Sequence, residues 1–236
     1  MYEYQGLQDV LFIMLYGMAG FFALLACLYL IFRRGNAFVG EEITSSRRLR
    51  CWTAALMAAM AASHVWWYVL GICWLTDDRL ARNITAIMLD YMTLIPLAMV
   101  VLLTMLQDRR RLLWPWLLAQ VPMVVAAMVG ISRRSTFWGY ELTHYWQMAV
   151  IAVFVVYYIF ALRKYGRWLL DNYADLERKE VWQSLVFIIA LLAVYVAYTS
   201  NAGELVREYL SQIITIVIIA FLLWRVETLQ ELENEL

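Results

Sequence analysis

The chain has 236 residues, of which 64% are hydrophobic and 16% charged, and its mean hydropathy is +0.65. A soluble domain has about half apolar and about a quarter charged residues, so this composition excludes an ordinary soluble domain. The formal net charge is zero and the pI is near 6.7, which excludes a basic whole-chain signature for nucleic acid.

Residues 1–8 are polar and slightly acidic, with no basic stretch ahead of the first apolar run, so no cleavable signal peptide is read there. A helix needs about 20 apolar residues to cross the hydrocarbon core of a bilayer. Seven runs qualify: 10–32, 51–75, 84–106, 112–131, 141–162, 181–200 and 205–226. Short polar breaks separate several of them, among them Thr76-Asp77-Asp78-Arg79, Gln107-Asp108-Arg109-Arg110-Arg111, Ser132-Arg133-Arg134 and Asn201-Ala202-Gly203. The fourth run contains Pro115 and Pro122, and the fifth begins with a polar turn. Cys27, Cys51 and Cys73 fall in or at the edge of apolar runs and read as small buried hydrophobes, not as a disulfide framework.

Cytoplasmic loops hold an excess of Lys and Arg. One side of the chain holds Arg33, Arg34, Arg47, Arg48, Arg50, Arg109, Arg110, Arg111, Arg163, Lys164, Arg167, Arg178, Lys179 and Arg225. The other holds Arg79, Arg82, Arg133, Arg134 and Arg207, which completes the 19 basic residues. The expected fold is therefore an all-α integral membrane bundle of seven transmembrane helices, with the N-terminus outside and the C-terminus cytoplasmic. The outer loops are too short for a folded domain, so recognition from outside falls to the bundle or its rim. In 163–180, Leu169, Tyr173 and Leu176 sit at helical spacing, which predicts a helical extension near the membrane surface.

No Gly or Pro stops the last run. Leu222, Val226, Leu229, Glu233 and Leu236 fall at a/d-like spacing, as in a helix that leaves the membrane and pairs with its copy. The expected division is a sensor bundle over 1–226 and the start of a coiled-coil-like signalling helix over 227–236, with a homodimer formed through that helix.

Ionisable groups inside a span are expensive and mark functional sites. Asp90 lies near the outer end of the third run. Glu141, His144 and Gln147 lie at the outer end of the fifth, Tyr195, Tyr198 and Thr199 at that of the sixth, and Glu204, Arg207, Glu208 and Gln212 at that of the seventh. His64 sits near the middle of the second run, beside Trp66 and Trp67, while the inner stretches 150–160 and 213–223 are almost purely apolar. Polar groups confined to one half fit a pocket open to one side better than a path through the membrane. The expected ligand-binding residues are Asp90, His144, Gln147, Tyr195, Arg207, Glu208, Gln212 and His64. The competing reading is structural ion pairing, with Arg207 on Asp90 or Glu208, and with Glu141 and Glu204 in interfacial water.

A rhodopsin-type retinal site needs a lysine in the last span, and the only lysines are Lys164 and Lys179. Zinc hydrolysis on a seven-helix frame needs three histidines, and there are two, His64 and His144. No Gly-x-Ser-x-Gly or phosphate-binding loop is present. No enzymatic activity, cofactor, metal or direct nucleic-acid contact is expected of the chain. A small-molecule transporter is the main rival, although the first and last three runs lack repeat character and the prolines are confined to Pro96, Pro115 and Pro122. A non-catalytic membrane scaffold is a third reading.

The segment Tyr165-Gly166-Arg167-Trp168-Leu169-Leu170-Asp171-Asn172-Tyr173-Ala174-Asp175-Leu176-Glu177-Arg178-Lys179-Glu180-Val181-Trp182 resembles a juxtamembrane segment in the multi-span sensor regions of Bacteroides-type signalling proteins. The resemblance covers those residues, the seven-run layout and the helical exit after Trp224. It implies a bacterial inner membrane, a pocket facing the periplasm, and a two-component histidine kinase or AraC-type output beyond the bundle; the ligand expected among the outer polar residues is a small or lipid-soluble molecule.

Overall fold

A computed structural model describes residues 7–33, 46–72, 79–132, 136–174, 181–199 and 204–232, with the side chains of 7–9, 71–84, 127–141 and 194–208 outside the description. The described chain is helical, with no strand. The helices are α1 (Leu7–Phe32), α2 (Arg47–Ile72), α3 (Arg79–Met105), α4 (Trp114–Leu118), α5 (Val121–Ser132), α6 (Thr136–Asn172), α7 (Ser184–Thr199) and α8 (Glu204–Thr228).

Five of these, α1, α2, α3, α6 and α8, are long and apolar enough to cross a membrane. Two shorter apolar stretches, Trp114–Ala126 and Ser184–Ala193, complete the set. The outward surface of α1 is hydrocarbon: Leu11, Ile13, Met14, Met18, Phe21, Leu25, Leu28 and Ile31 are all exposed. A water-soluble helix turns its polar face outward. Here that face is apolar, and α1 bonds its backbone within the helix, as a bilayer requires. The chain is an integral membrane protein.

The fourth run is not one helix. It breaks at Ala119–Gln120 into α4 and α5, with Pro115 in the first turn of α4, where a missing N–H is harmless. The fifth run, by contrast, lies in the longest helix. At 1.5 Å per residue, the 37 residues of α6 reach about 55 Å, well beyond the roughly 30 Å hydrocarbon core. The predicted extension after residue 162 is thus a direct continuation of α6 to Asn172. Tyr165 and Leu169 are buried in the main core, so that segment packs on the bundle.

α1 packs on α2 and α8, α2 on α3, α3 on α6, α6 on α5, and α8 on α7. Small residues bring α1 and α2 together: Ala19, Ala23 and Ala26 are buried against a helix whose Ala54 is also buried. At the basic end of the bundle the apolar core includes Leu49, Leu102, Leu103, Met105, Tyr165, Phe187, Ile219 and Leu222.

Two features of that end depart from the sequence reading. First, α8 does not continue to residue 236. It stops at Thr228, and 229–232 turn back with Leu229 and Leu232 buried in the main core. Gln107 holds this tail by its backbone, donating from Nε2 to the Gln230 carbonyl at 3.0 Å and accepting at Oε1 from the Leu232 N–H at 2.8 Å. Of the expected pairing positions, Leu222, Val226 and Leu229 thus face the chain's own bundle; Glu233 and Leu236 lie outside the described residues. Second, the apolar stretch 213–223 is followed by buried charge, Arg225 and Glu227. Glu227 is fully buried and accepts a 2.6 Å hydrogen bond from Arg50, which also donates to the Arg33 carbonyl. Arg111 and Arg225 are buried as well. Arg111 bonds Asp108 and the Leu106 carbonyl, so this residue of the expected loop is a core contact.

Candidate functional site

Away from the basic end, the helices bring together a layer of polar side chains. Its centre is His64 on α2. The ring can sit there because residue 20 of α1 is glycine: a Cβ at that position would lie 3.0 Å from His64 Cβ and 3.1 Å from Cγ. Tyr16, one helical turn earlier, stacks obliquely on the ring with centroids 4.7 Å apart and donates its hydroxyl to the His64 carbonyl at 2.6 Å. Phe12 continues this aromatic wall and touches Tyr209 of α8.

Both ring nitrogens of His64 are engaged. Nδ1 lies 2.7 Å from the Met60 carbonyl and Nε2 lies 3.0 Å from the Gln212 side-chain amide on α8. A carbonyl only accepts, so Nδ1 carries a proton. A neutral ring then accepts at Nε2 from the Gln212 NH₂, whereas a charged ring donates to the Gln212 oxygen. A half-turn of one amide switches between the two. Gln212 is itself buried, so the pair joins α2 to α8 inside the bundle.

Asp90 on α3 is bound from α2. Ser63 Oγ donates to Oδ1 at 2.6 Å, Trp66 Nε1 to Oδ1 at 3.1 Å and Trp67 Nε1 to Oδ2 at 2.8 Å. Ser63, Trp66 and Trp67 lie within one turn and a quarter of α2 and converge on one carboxylate. Three donors offset much of the penalty of removing a carboxylate from water. Trp66 and Trp67, which the sequence offered as packing or pocket walls, are the hydrogen-bond donors that hold Asp90. Next along α3, the Tyr91 hydroxyl lies 3.2 Å from His144 Nδ1 on α6.

Gln147, one turn beyond His144, is fully buried, and neither its amide nitrogen nor its amide oxygen has a hydrogen-bond partner among the described residues. Gln120, at the break between α4 and α5, is also buried, with both amide atoms unpartnered among the described residues. Trp146 Nε1 donates to the Ala119 carbonyl at 2.8 Å, so the residue before Gln147 bonds the residue before Gln120. Native interiors satisfy the large majority of such groups. Gln120 was legible only as a polar residue inside an apolar run.

Of the eight residues expected from the sequence, the structure joins His64 to Gln212 directly and places Asp90 beside Tyr91, the partner of His144. Gln147 is buried one turn from His144. The side chains of Tyr195, Arg207 and Glu208 lie outside the described residues, as do those of Glu141 and Glu204. Among the described residues no group of three or more His, Cys, Asp or Glu is arranged to hold a metal ion. Compared with protein-family models, with curated proteins and with solved structures, the chain matches none.

Proposed function

We propose that this chain is a transmembrane sensor domain of seven spans, N-terminus outside, that binds a small or lipid-soluble ligand in the polar layer and relays binding through α8. The carrying observation is that α8 belongs to both ends of the bundle. Gln212 bonds His64 in the polar layer, and fifteen residues on, about 22 Å along the same unbroken helix, Glu227 bonds Arg50. The docked tail follows directly. A ligand that competes for the Gln212 amide, or for the amides of Gln147 and Gln120, would change the stability of one α8 position relative to another. It shifts such an equilibrium only by its differential affinity for the two arrangements. Displacement of α8 would strain the Arg50–Glu227 pair and the Gln107 contacts to Gln230 and Leu232. A freed Leu229 and Leu232 would then be available to a cytoplasmic output or to a second copy.

The test is a thermal-shift screen of the purified chain against metabolites, lipids and quinones, repeated on Gln212→Leu. A ligand that binds only the folded state raises the melting temperature, by an amount that grows with its concentration over Kd. A hit lost in the variant supports the reading. No hit across a broad library, or hits unaffected by Gln212→Leu, would overturn it.

One observation favours a second reading. Transporters place binding sites at interrupted helices, and here α4 and α5 are interrupted beside Gln120, while α3 carries Pro96 within its helix. Flux of the same hit across proteoliposomes would mark a transporter; binding without flux would mark a sensor.

A further inference from the structure

The basic end of α6 carries a feature independent of the polar layer. A groove of about 190 Å³ runs along the helix between Leu162, Tyr165, Leu169, Val181 and Trp182. Gly166 lies in its wall, and a Cβ built there meets nothing within 4 Å, so the missing side chain is what leaves this part of the groove open. Pockets that enclose a whole drug-sized molecule start at about 300 Å³. This smaller, open groove suits a segment of a longer molecule whose remainder lies elsewhere.

Its surroundings indicate which molecule. Arg163, Gly166, Arg167 and Leu170 follow one another at i, i+3, i+4 and i+7, so the two arginines border the groove on one stripe of α6. Both are exposed, and neither forms an ion pair among the described residues, Asp171 one turn beyond Arg167 included. Within the apolar span Leu142–Asn172 the first charged residues are Arg163 and Lys164, so the groove opens where the uncharged run 142–162, itself long enough to cross the hydrocarbon, gives way to charge. Trp182, exposed at the rim, has the amphipathic ring that settles at headgroup depth.

We propose that the groove binds an anionic phospholipid, with one acyl segment against Leu162, Gly166 and Leu169 and the phosphate on Arg163 and Arg167. An apolar floor under a basic rim complements a lipid that carries net negative charge and discriminates against a zwitterionic one.

Native mass spectrometry of the full chain with phosphatidylglycerol or phosphatidylcholine tests this. Phosphatidylglycerol should stay bound at collision energies that strip phosphatidylcholine. Arg163→Gln and Arg167→Gln should each weaken its retention about fivefold. Gly166→Leu should abolish it by filling the groove, with helicity and lipid-free melting unchanged. If Gly166→Leu perturbs folding, the two surface arginine variants decide. Equal retention of the two lipids, undiminished retention in a folded Gly166→Leu or in both arginine variants, or Trp182→Cys cross-links between copies in place of lipid, would overturn the proposal.

Discussion

Arg50 of α2 and Glu227 of α8 meet at 2.6 Å with side chains 13% and 0% exposed, although 177 positions separate them in the chain. Arg50 reads in the sequence as one more charge of a basic loop; in the fold it is the counter-ion of a buried carboxylate. Breaking a buried pair by removing one partner costs about 3–5 kcal/mol, because the other charge stays behind without it. Arg50→Met should therefore lower the melting temperature sharply. Arg50→Met with Glu227→Leu should recover much of the loss, and the double-mutant cycle in a fixed detergent measures the coupling.

The Gln107 clamp on the tail makes a different kind of prediction. Its two hydrogen bonds to backbone contribute about 0.5–1.5 kcal/mol each. Gln107→Ala should therefore loosen 229–232 without unfolding the bundle. A cysteine at Leu229 should be protected from a water-soluble maleimide in the parent and labelled faster in Gln107→Ala. Equal labelling rates would show that burial of Leu229 and Leu232 holds the tail unaided.

Gly20 and Gly17 lie one turn apart on α1 and should respond oppositely to alanine. At Gly20 the new Cβ meets the His64 ring carbon at 3.1 Å, so Gly20→Ala should destabilise by about 1–3 kcal/mol through overpacking. At Gly17 nothing lies within 4 Å, so Gly17→Ala should be neutral or stabilise by up to about 1 kcal/mol through helix propensity. Thermal melts of the two variants side by side check this.

Asp90 takes two of its three bonds on Oδ1 and one on Oδ2. Asp90→Asn can keep Ser63 and Trp66 on its carbonyl oxygen, but it turns an NH₂ toward the Trp67 N–H, donor against donor. A loss of about 1–3 kcal/mol is expected from leaving that half-buried donor unmet. Trp67→Phe should cost less in the Asp90→Asn background than in the parent, because it removes the clashing donor. Additive losses would place the effect elsewhere.

Much of the fold was legible in the sequence. A run of some 20 apolar residues has one way to satisfy its backbone in hydrocarbon, so the all-helical membrane character follows from composition and run length, and five of the seven expected runs form helices long enough to span. The break at Ala119–Gln120 was legible only as two prolines in one run, since Pro115 and Pro122 can each begin a helix as well as interrupt one. Polar positions such as His64, Asp90 and Gln212 stood out because apolar neighbours make them expensive. Their partners did not, because hydrogen bonds such as His64 to Gln212 cross 148 positions and depend on which helices touch.

The sequence by itself determined where helices form and which residues are costly to bury, because both follow from local hydropathy and backbone hydrogen bonding. Only the tertiary structure decided which of those residues are satisfied by one another. It gave Asp90 to Ser63, Trp66 and Trp67, left the amides of Gln120 and Gln147 without partners among the described residues, and turned the tail at Leu229 back onto the bundle. An a/d-like spacing states only that one face of a helix is apolar. Whether that face meets a second copy or the chain's own core depends on what lies within reach, and here Gln107 and the apolar basic end of the bundle do.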